Sequence, residues 1–162
     1  MAETVHLFLK INGVEVHGET VTNKSGAKDS IECVYFDQSV TTARDTASGM
    51  TTGRRQYNPI LIRKLIDKCS PLLFKALVDN QLVDAVFKFY RPNPMGDGTT
   101  EQYYTIEVKN GRIASMRNYL PDTLTPSSAN LPPLEEVTFV FHTISWTYTN
   151  GGVTHQDTWS VR

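Results

Sequence analysis

Apolar residues recur at every second position in several segments of this chain. From Val5 to Ile11, for example, every second residue is aliphatic, while polar or aromatic residues take the positions between them. This period of two is that of a β-strand, whose successive side chains point to opposite faces of a sheet. The pattern predicts a fold built from strands and disfavours a helical bundle.

The composition agrees with a strand-based fold. Val, Ile and Thr, whose branched side chains suit a pleated sheet, number 41, whereas Leu and Ala number 20. Sixteen basic and seventeen acidic residues give a formal net charge of -1, which disfavours nucleic-acid binding because such proteins carry a basic excess. No segment approaches the roughly 18 consecutive apolar residues of a membrane helix, so no membrane insertion is expected.

Turn signals divide the chain into eight or nine predicted strands. The dipeptides Asn12-Gly13 and Asn110-Gly111 each predict a two-residue hairpin turn. Residues 30–40 and 136–149 each predict one continuous strand, and residues 153–161 predict the last one. Because helices do not alternate with strands, the order of elements favours a mostly antiparallel barrel or sandwich. A chain of 162 residues is expected to form a single domain, residues 1–162.

One helix is predicted at about residues 68–80. Ser70 would cap its N-terminus, Pro71 suits the first helical position, and Asn80 is a plausible C-terminal stop. Apolar residues between them form a stripe on one side. The helix is therefore expected to lie beside a sheet.

A long polar segment, residues 41–56, separates the early strands from this helix. Met50 is its only large apolar residue, so the segment is expected to order itself poorly. Loops of this length are more often functional or disordered than incidental. Two interpretations remain open, an arm that binds a partner and a disordered loop.

No arrangement of residues points to catalysis. The four histidines lack the spacing of metal ligands, and Cys33 and Cys69 are expected to be free thiols in a reducing cytoplasm. His155 and Asp157 would share a strand face as an acid–base pair, but a solvent-facing hairpin pair explains that spacing more simply and is favoured. The sequence thus predicts no catalytic residue, no cofactor site, no metal site and no enzyme.

Two sets of residues, one with basic and aromatic side chains and one with tryptophans, could bind a partner or a small ligand. Arg54, Arg55 and Tyr57 carry too few cations for nucleic acid, so a salt bridge between subunits or a solvated loop is favoured. Trp146 and Trp159 could stack on a sugar ring. A small-ligand or sugar-binding β-barrel is therefore kept as an alternative function, although core or interface packing of both rings is favoured.

Five segments of the chain carry a resemblance to a known family. They are the Gly18-Glu19-Thr20 turn and residues 52–59 (TGRRQYNP), 66–77 (IDKCSPLLFKAL), 136–148 and 151–159. With the helix entry in residues 66–77 and the other four segments in the same order, the chain resembles the haemolysin-coregulated protein (Hcp) family, the tube protein of type VI secretion systems.

The resemblance implies a two-sheet antiparallel β-barrel with one lateral α-helix and an extended loop at about residues 40–56. It implies six-membered rings that stack into a tube, inside a contractile sheath and under a spike protein, with effector proteins in the lumen. The loop would dock on a neighbouring subunit, and Gly53, Arg54 and Tyr57 are the residues expected at that contact.

The same resemblance implies a place in the cell. The protein would act in the bacterial cytoplasm before firing and be secreted afterwards. Residues 1–10 show neither the basic nor the apolar region of a signal peptide, so no cleaved signal peptide is expected. The chain stops at Arg162, just after the last predicted strand, so no C-terminal toxin domain is expected.

Overall fold

The computed structural model of the chain describes residues 3–21 and 26–159. These residues form twelve strands and one helix. The strands are β1 (Thr4–Ile11), β2 (Val14–Val16), β3 (Ile31–Cys33), β4 (Tyr35–Asp37), β5 (Val40–Arg44), β6 (Thr51–Tyr57), β7 (Ile60–Leu65), β8 (Val83–Pro92), β9 (Thr100–Tyr119), β10 (Leu134–Val140), β11 (Thr143–Tyr148) and β12 (Val153–Thr158); the helix is α1 (Ser70–Val78).

Ten of the strands form one hydrogen-bonded network that bends into two antiparallel layers. In the first sheet, β2 and β3 pair with one side of β1, followed by β8, the first half of β9, β11 and β12. The second sheet contains the other half of β9, then β10, β7 and β4. The predicted two-sheet antiparallel β-barrel with a lateral helix is confirmed, although hydrogen bonds between the described strands do not close it.

Strand β9 belongs to both sheets and bends at Asn110-Gly111. Asn110 has a positive φ of 55°, its backbone N–H donates to Asp84 Oδ1 at 2.9 Å, and the β8–β9 register shifts beside it. The predicted hairpin turn at this dipeptide is therefore wrong. A β-bulge and a hairpin turn both favour a residue that tolerates positive φ, and here the strand continues into the second sheet.

Two further predicted strands are each divided between the sheets. Residues 30–40 form β3 in the first sheet and β4 in the second, with Val34 between them. Residues 136–149 fall into β10 and β11, separated at Phe141 and His142. In both places the chain changes sheets, which side-chain alternation alone does not indicate. Of the last predicted strand, residues 160 and 161 lie outside the described residues.

The core lies between the two sheets and uses the aliphatic faces that the alternation predicted. Leu7, Ile62, Phe87 and Val137 are fully buried there. The ring centroid of Phe87 lies 5.9 Å from that of Phe139 across the two sheets, in an edge-to-face arrangement. Burying such side chains contributes about 1.5–3 kcal/mol each, so the core is the main source of stability.

Helix α1 lies within the predicted range and packs Leu73 and Ala76 against the barrel. It ends as predicted, because Asn80 adopts a positive φ of 51° and Gln81 N–H donates back to Ala76 O at 2.9 Å. The predicted N-cap is wrong, since Cys69 occupies that position and Ser70 is already helical.

The Ser70 hydroxyl instead joins a buried polar cluster. Lys64 Nζ contacts Glu135 Oε2 at 2.5 Å and Asp67 Oδ1 at 3.2 Å, and it donates to Ser70 Oγ at 3.1 Å. Ser70 Oγ donates to Glu135 Oε2 at 2.8 Å. Lys64 and Glu135 face each other on β7 and β10 and are almost fully buried. The cluster therefore ties the start of α1 to the second sheet.

Removing one partner of this cluster should destabilise the protein strongly. In Glu135→Ala the Lys64 ammonium stays buried without its closest counter-charge, and we expect a loss of about 3–5 kcal/mol in the free energy of unfolding, measured with urea. The double variant Lys64→Met with Glu135→Leu removes both charges and should be clearly more stable than the single variant. A double variant as unstable as Glu135→Ala would contradict this explanation.

The bend in β9 leads to a second prediction, which concerns the stability of a variant at Gly111. A Cβ atom on Gly111 would lie 2.6 Å from Val140 O and 3.1 Å from Val83 O, both of them backbone atoms. Gly111→Ala should therefore lower the free energy of unfolding by about 1–3 kcal/mol. Gly53→Ala is the control, because its Cβ would meet only the Ala43 Cβ at 3.6 Å. Equal effects of the two substitutions would show that the close approach at Gly111 is unimportant.

Candidate functional site

The segment predicted as an extended loop is a β-hairpin of strands β5 and β6. Within the described residues, these strands pair only with each other. Most of their side chains are exposed, including Met50 at 70%. The expectation that this segment orders itself poorly is wrong, because backbone pairing supplies the order that apolar burial does not.

The tip of the hairpin is held by polar contacts. Asp45 N–H donates to Met50 O at 2.8 Å, and the Asp45 carboxylate accepts from Ala47 N–H at 3.1 Å and from the Ser48 hydroxyl at 2.8 Å. These hydrogen bonds lower the pKa of Asp45. The tip is therefore a defined turn at neutral pH.

The base of the hairpin is attached to β12 through the Asp157 carboxylate. Arg55 Nε lies 2.5 Å from Asp157 Oδ2 and Arg55 Nη2 lies 2.8 Å from Oδ1, a bidentate pair. The Tyr57 hydroxyl also donates to Asp157 Oδ2, and Arg55 Nη2 donates to Thr158 O at 2.8 Å. One half-buried carboxylate thus holds two side chains of β6.

The pKa values of these groups follow from the contacts. The hydrogen bond from Arg55 lowers the pKa of Asp157, although partial burial acts in the opposite direction. Partial burial and the hydrogen bond to Asp157 raise the pKa of Tyr57 to about 12. At neutral pH the carboxylate is therefore ionised and the phenol is protonated, which is the arrangement that both hydrogen bonds require.

Aromatic rings surround the same point. The Tyr57 ring centroid lies 5.4 Å from those of Phe141 and Trp159 and 6.3 Å from that of Trp146. The segment that leads into β5 is attached as well, since Trp146 Nε1 donates to Gln38 Oε1 at 3.2 Å. Both ends of the hairpin are thus fixed to the first sheet, while its tip extends from that base.

The three predicted contact residues occupy different parts of the hairpin. Tyr57 lies in the aromatic cluster at the base, Arg54 is exposed and donates to Trp159 O at 3.0 Å, and Gly53 is exposed farther along β6. Sequence reasoning missed Asp157 as the anchor of Arg55. Their separation by 102 residues leaves no local signal for this contact.

His155 and Asp157, the suggested acid–base pair, have different partners. His155 stacks on Trp146 with centroids 5.6 Å apart and an interplanar angle of 7°, whereas Asp157 binds Arg55 and Tyr57. The same stack disfavours the sugar-binding alternative, because the Trp146 ring already stacks with Tyr57 and with His155.

The remaining candidate groups are dispersed or buried. Among the described residues, no group of three or more His, Cys, Asp or Glu side chains is placed to hold a metal ion. Cys33 and Cys69 are buried free thiols, and burial raises the pKa of both, that of Cys33 to about 12. Both thiols are therefore protonated at neutral pH, which makes them poor nucleophiles.

Loss of the Asp157 charge should loosen the base of the hairpin. In Asp157→Asn we expect backbone amide hydrogen exchange in residues 51–57 to accelerate by about tenfold, because charge-assisted hydrogen bonds contribute about 1.5–3 kcal/mol each. Asp45→Asn is the matched control, since that carboxylate stabilises only the tip. Unchanged exchange in Asp157→Asn would contradict the role of this carboxylate as the anchor.

The same contact should respond to acid. The pKa of Asp157 is lower in the folded protein than the usual value of about 4, so its contribution is present above that value and is lost as the pH falls through the folded pKa. The fluorescence of Trp146 and Trp159 should report this transition, and Asp157→Asn should lack it. An identical acid transition in the variant would assign it to another group.

Comparison with known proteins identifies relatives along most of the chain. A family profile described as the type VI secretion system effector Hcp matches residues 8–148. The Major exported protein of Pseudomonas aeruginosa is 33% identical over 139 residues, which cover 85% of this chain and 80% of that protein.

Solved structures share the fold. The Hcp1 protein of the E. coli EAEC 042 pathovar is 29% identical, with a TM-score of 0.83 over 98% of this chain and 99% of that one. The secreted protein Hcp3 of Pseudomonas aeruginosa is 22% identical, with a TM-score of 0.76 over 99% of this chain and 100% of that one, and shows the fold alone. Among the described residues, no helix combines the length and the apolar character that a membrane span requires.

Proposed function

This chain belongs to the Hcp family of type VI secretion systems, and from that membership we propose that it is a structural subunit of the secretion tube. Its residues 1–162 form one tube domain in this proposal. The subunits assemble into six-membered rings, and the rings stack into a tube that is expelled when a contractile sheath shortens. The family is one of structural proteins. The base of the hairpin agrees with this, because its polar side chains already bind one another.

The hairpin is the observation that supports self-assembly. Strands β5 and β6 have no other strand partner in the described chain, so each presents an outer edge of backbone N–H and C=O groups. Free edges of this kind favour pairing with another chain. Because the base is fixed by Asp157, the hairpin is pre-ordered, which lowers the entropy cost of docking.

We assign the docking contact to the exposed part of β6. Gly53 and Arg54 lie on this part and are reachable by a neighbouring subunit, and the proposal places both at the contact. Tyr57, which is half-buried at the base, sets the direction in which the hairpin leaves the barrel. A glycine in this position lets another backbone approach closely.

We infer the partners and the cellular location from membership of the family. The proposal places the protein in the bacterial cytoplasm before firing, where the sheath and the spike protein are its partners, and outside the cell afterwards without cleavage of a signal peptide. The name of the Pseudomonas aeruginosa relative, Major exported protein, supports export. Effector proteins are carried in the ring lumen.

Removal of the hairpin tip tests the proposal. Light scattering of the wild type should give the mass of six subunits of 18.2 kDa each. Deletion of residues 43–50 should shift the protein to smaller species or abolish stacking, because the unpaired edges are shortened. Circular dichroism should remain that of the folded barrel, since the core does not involve these residues.

The control shortens a second exposed loop, residues 94–98, between β8 and β9. This variant should keep the wild-type mass. A strictly monomeric wild type at high concentration would overturn the tube proposal. A deletion variant that retains the wild-type mass and stacking would instead overturn only the role of the hairpin.

A further inference from the structure

A row of tyrosine, arginine and glutamate side chains crosses the second sheet. Tyr35 faces Arg63, Arg63 faces Glu136, and Glu136 faces Arg117 on the consecutive strands β4, β7, β10 and β9. Tyr119 lies two residues beyond Arg117 and so shares its face. These five residues, which we call the arginine row, alternate with Ile62 and Val137, whose side chains fill the core. The row therefore lies on the outer face of the sheet.

The two arginines are held in matching environments. Arg63 Cζ lies 4.4 Å from the centroid of the Tyr35 ring, and Arg117 Cζ lies 4.2 Å from that of Tyr119. Arg63 Nε and Arg117 Nη2 both contact Glu136 Oε1, at 3.0 and 3.1 Å. Two guanidinium groups thus share one carboxylate oxygen, and the five side chains carry a net charge of +1.

Stability alone does not account for the second arginine. Exposed ion pairs contribute only about 0–1 kcal/mol, and a single guanidinium would already neutralise Glu136. The Arg63 and Arg117 side chains remain 39% and 61% exposed, whereas that of Glu136 is 19% exposed. The excess positive charge is therefore accessible to a partner.

The row is also ordered in advance for recognition. Stacking on a tyrosine ring restricts each guanidinium, so less side-chain entropy is lost when a ligand binds. Each guanidinium has five N–H donors in a planar fork that matches a carboxylate. One strand, β10, lies between the strands of Arg63 and Arg117, so the Cα atoms of the two arginines are about 10 Å apart. Two carboxylates of one polypeptide segment can span this distance.

We propose that the arginine row binds an acidic segment of a partner polypeptide. Carboxylates of that segment pair with Arg63 and Arg117 on either side of Glu136. The hydroxyls of Ser115 and Thr138, which hydrogen-bond to each other at 2.6 Å in the next row, add polar contacts beside it. A nucleic-acid backbone suits the row less well, because two cations with an ionised glutamate between them release few counterions. The contact requires neither rings nor tubes.

Binding can be measured with a defined probe. A fluorescently labelled octaglutamate peptide should bind the full-length protein in a fluorescence-anisotropy titration at low salt, and an octalysine peptide should not. The double variant Arg63→Gln with Arg117→Gln should weaken binding by at least about tenfold, because it removes both charge-assisted contacts. Glu136→Gln should tighten binding severalfold, since it removes the carboxylate that competes for both arginines.

Arg91→Gln is the matched control. Arg91 also lies over a tyrosine ring, 4.5 Å from the centroid of Tyr103, and pairs with Glu101 at 2.8 Å, but it is a single arginine. This variant should bind the peptide within twofold of the wild type. Equal losses in both arginine variants, unchanged binding in the double variant, or no gain in Glu136→Gln would overturn the proposal.

A measurement of mass separates an acidic partner from a second copy of this chain. By light scattering, the Arg63→Gln and Arg117→Gln double variant should keep the wild-type mass. A lower mass would show that the row is a contact between subunits and would overturn the proposal. Circular dichroism of the same samples establishes that the variants are folded, so that lost binding reports on the row.

Discussion

The bend of β9 at Gly111 determines how every other element is placed. Its first half pairs with β8 and β11, and its second half pairs with β10. The bend depends on a residue without a side chain, because the backbone carbonyl oxygens of Val140 and Val83 lie only 2.6 and 3.1 Å from where a Cβ would be. Opposite the bend, the chain breaks between β10 and β11, so both sheets turn at the same level and enclose the core.

Charged contacts orient the parts that the core does not fix. Lys64 and Glu135 bind the start of α1 to the second sheet, and Asp157 binds the hairpin to the first. Each contact is directional, so it sets an angle that apolar packing alone would leave less defined. In the proposed tube, that angle decides whether the hairpin meets a neighbouring subunit.

Alternation along the sequence predicted the strands that have one buried face. Strand β1 and the outline of α1 with its stop at Asn80 follow from local residue patterns, and both are confirmed. The places where the chain changes sheets were missed at Val34, at Asn110-Gly111 and at Phe141. Each such place depends on which strand lies opposite, and this information is not local. The Asn110 conformation is common to turns and bulges, so the dipeptide alone does not distinguish them.

The candidate site was predicted only in part, because it too depends on contacts between residues that are distant in the sequence. Residues 40–56 have a polar composition that correctly set them apart from the core, but the pairing of β5 with β6 has no apolar alternation to indicate it. Asp157 lies far along the chain from Arg55 and Tyr57, so only the folded structure brings the anchor together. The arginine row is likewise invisible in the sequence, since its members come from four separate strands.

Ring assembly through a pre-ordered hairpin is the central claim, and an image of the purified particle tests it most directly. Electron cryomicroscopy should show closed rings of six subunits, with β5 and β6 of each subunit lying against a neighbour in the same ring or in the next. Isolated monomers, or rings in which the hairpin contacts only solvent, would contradict the claim.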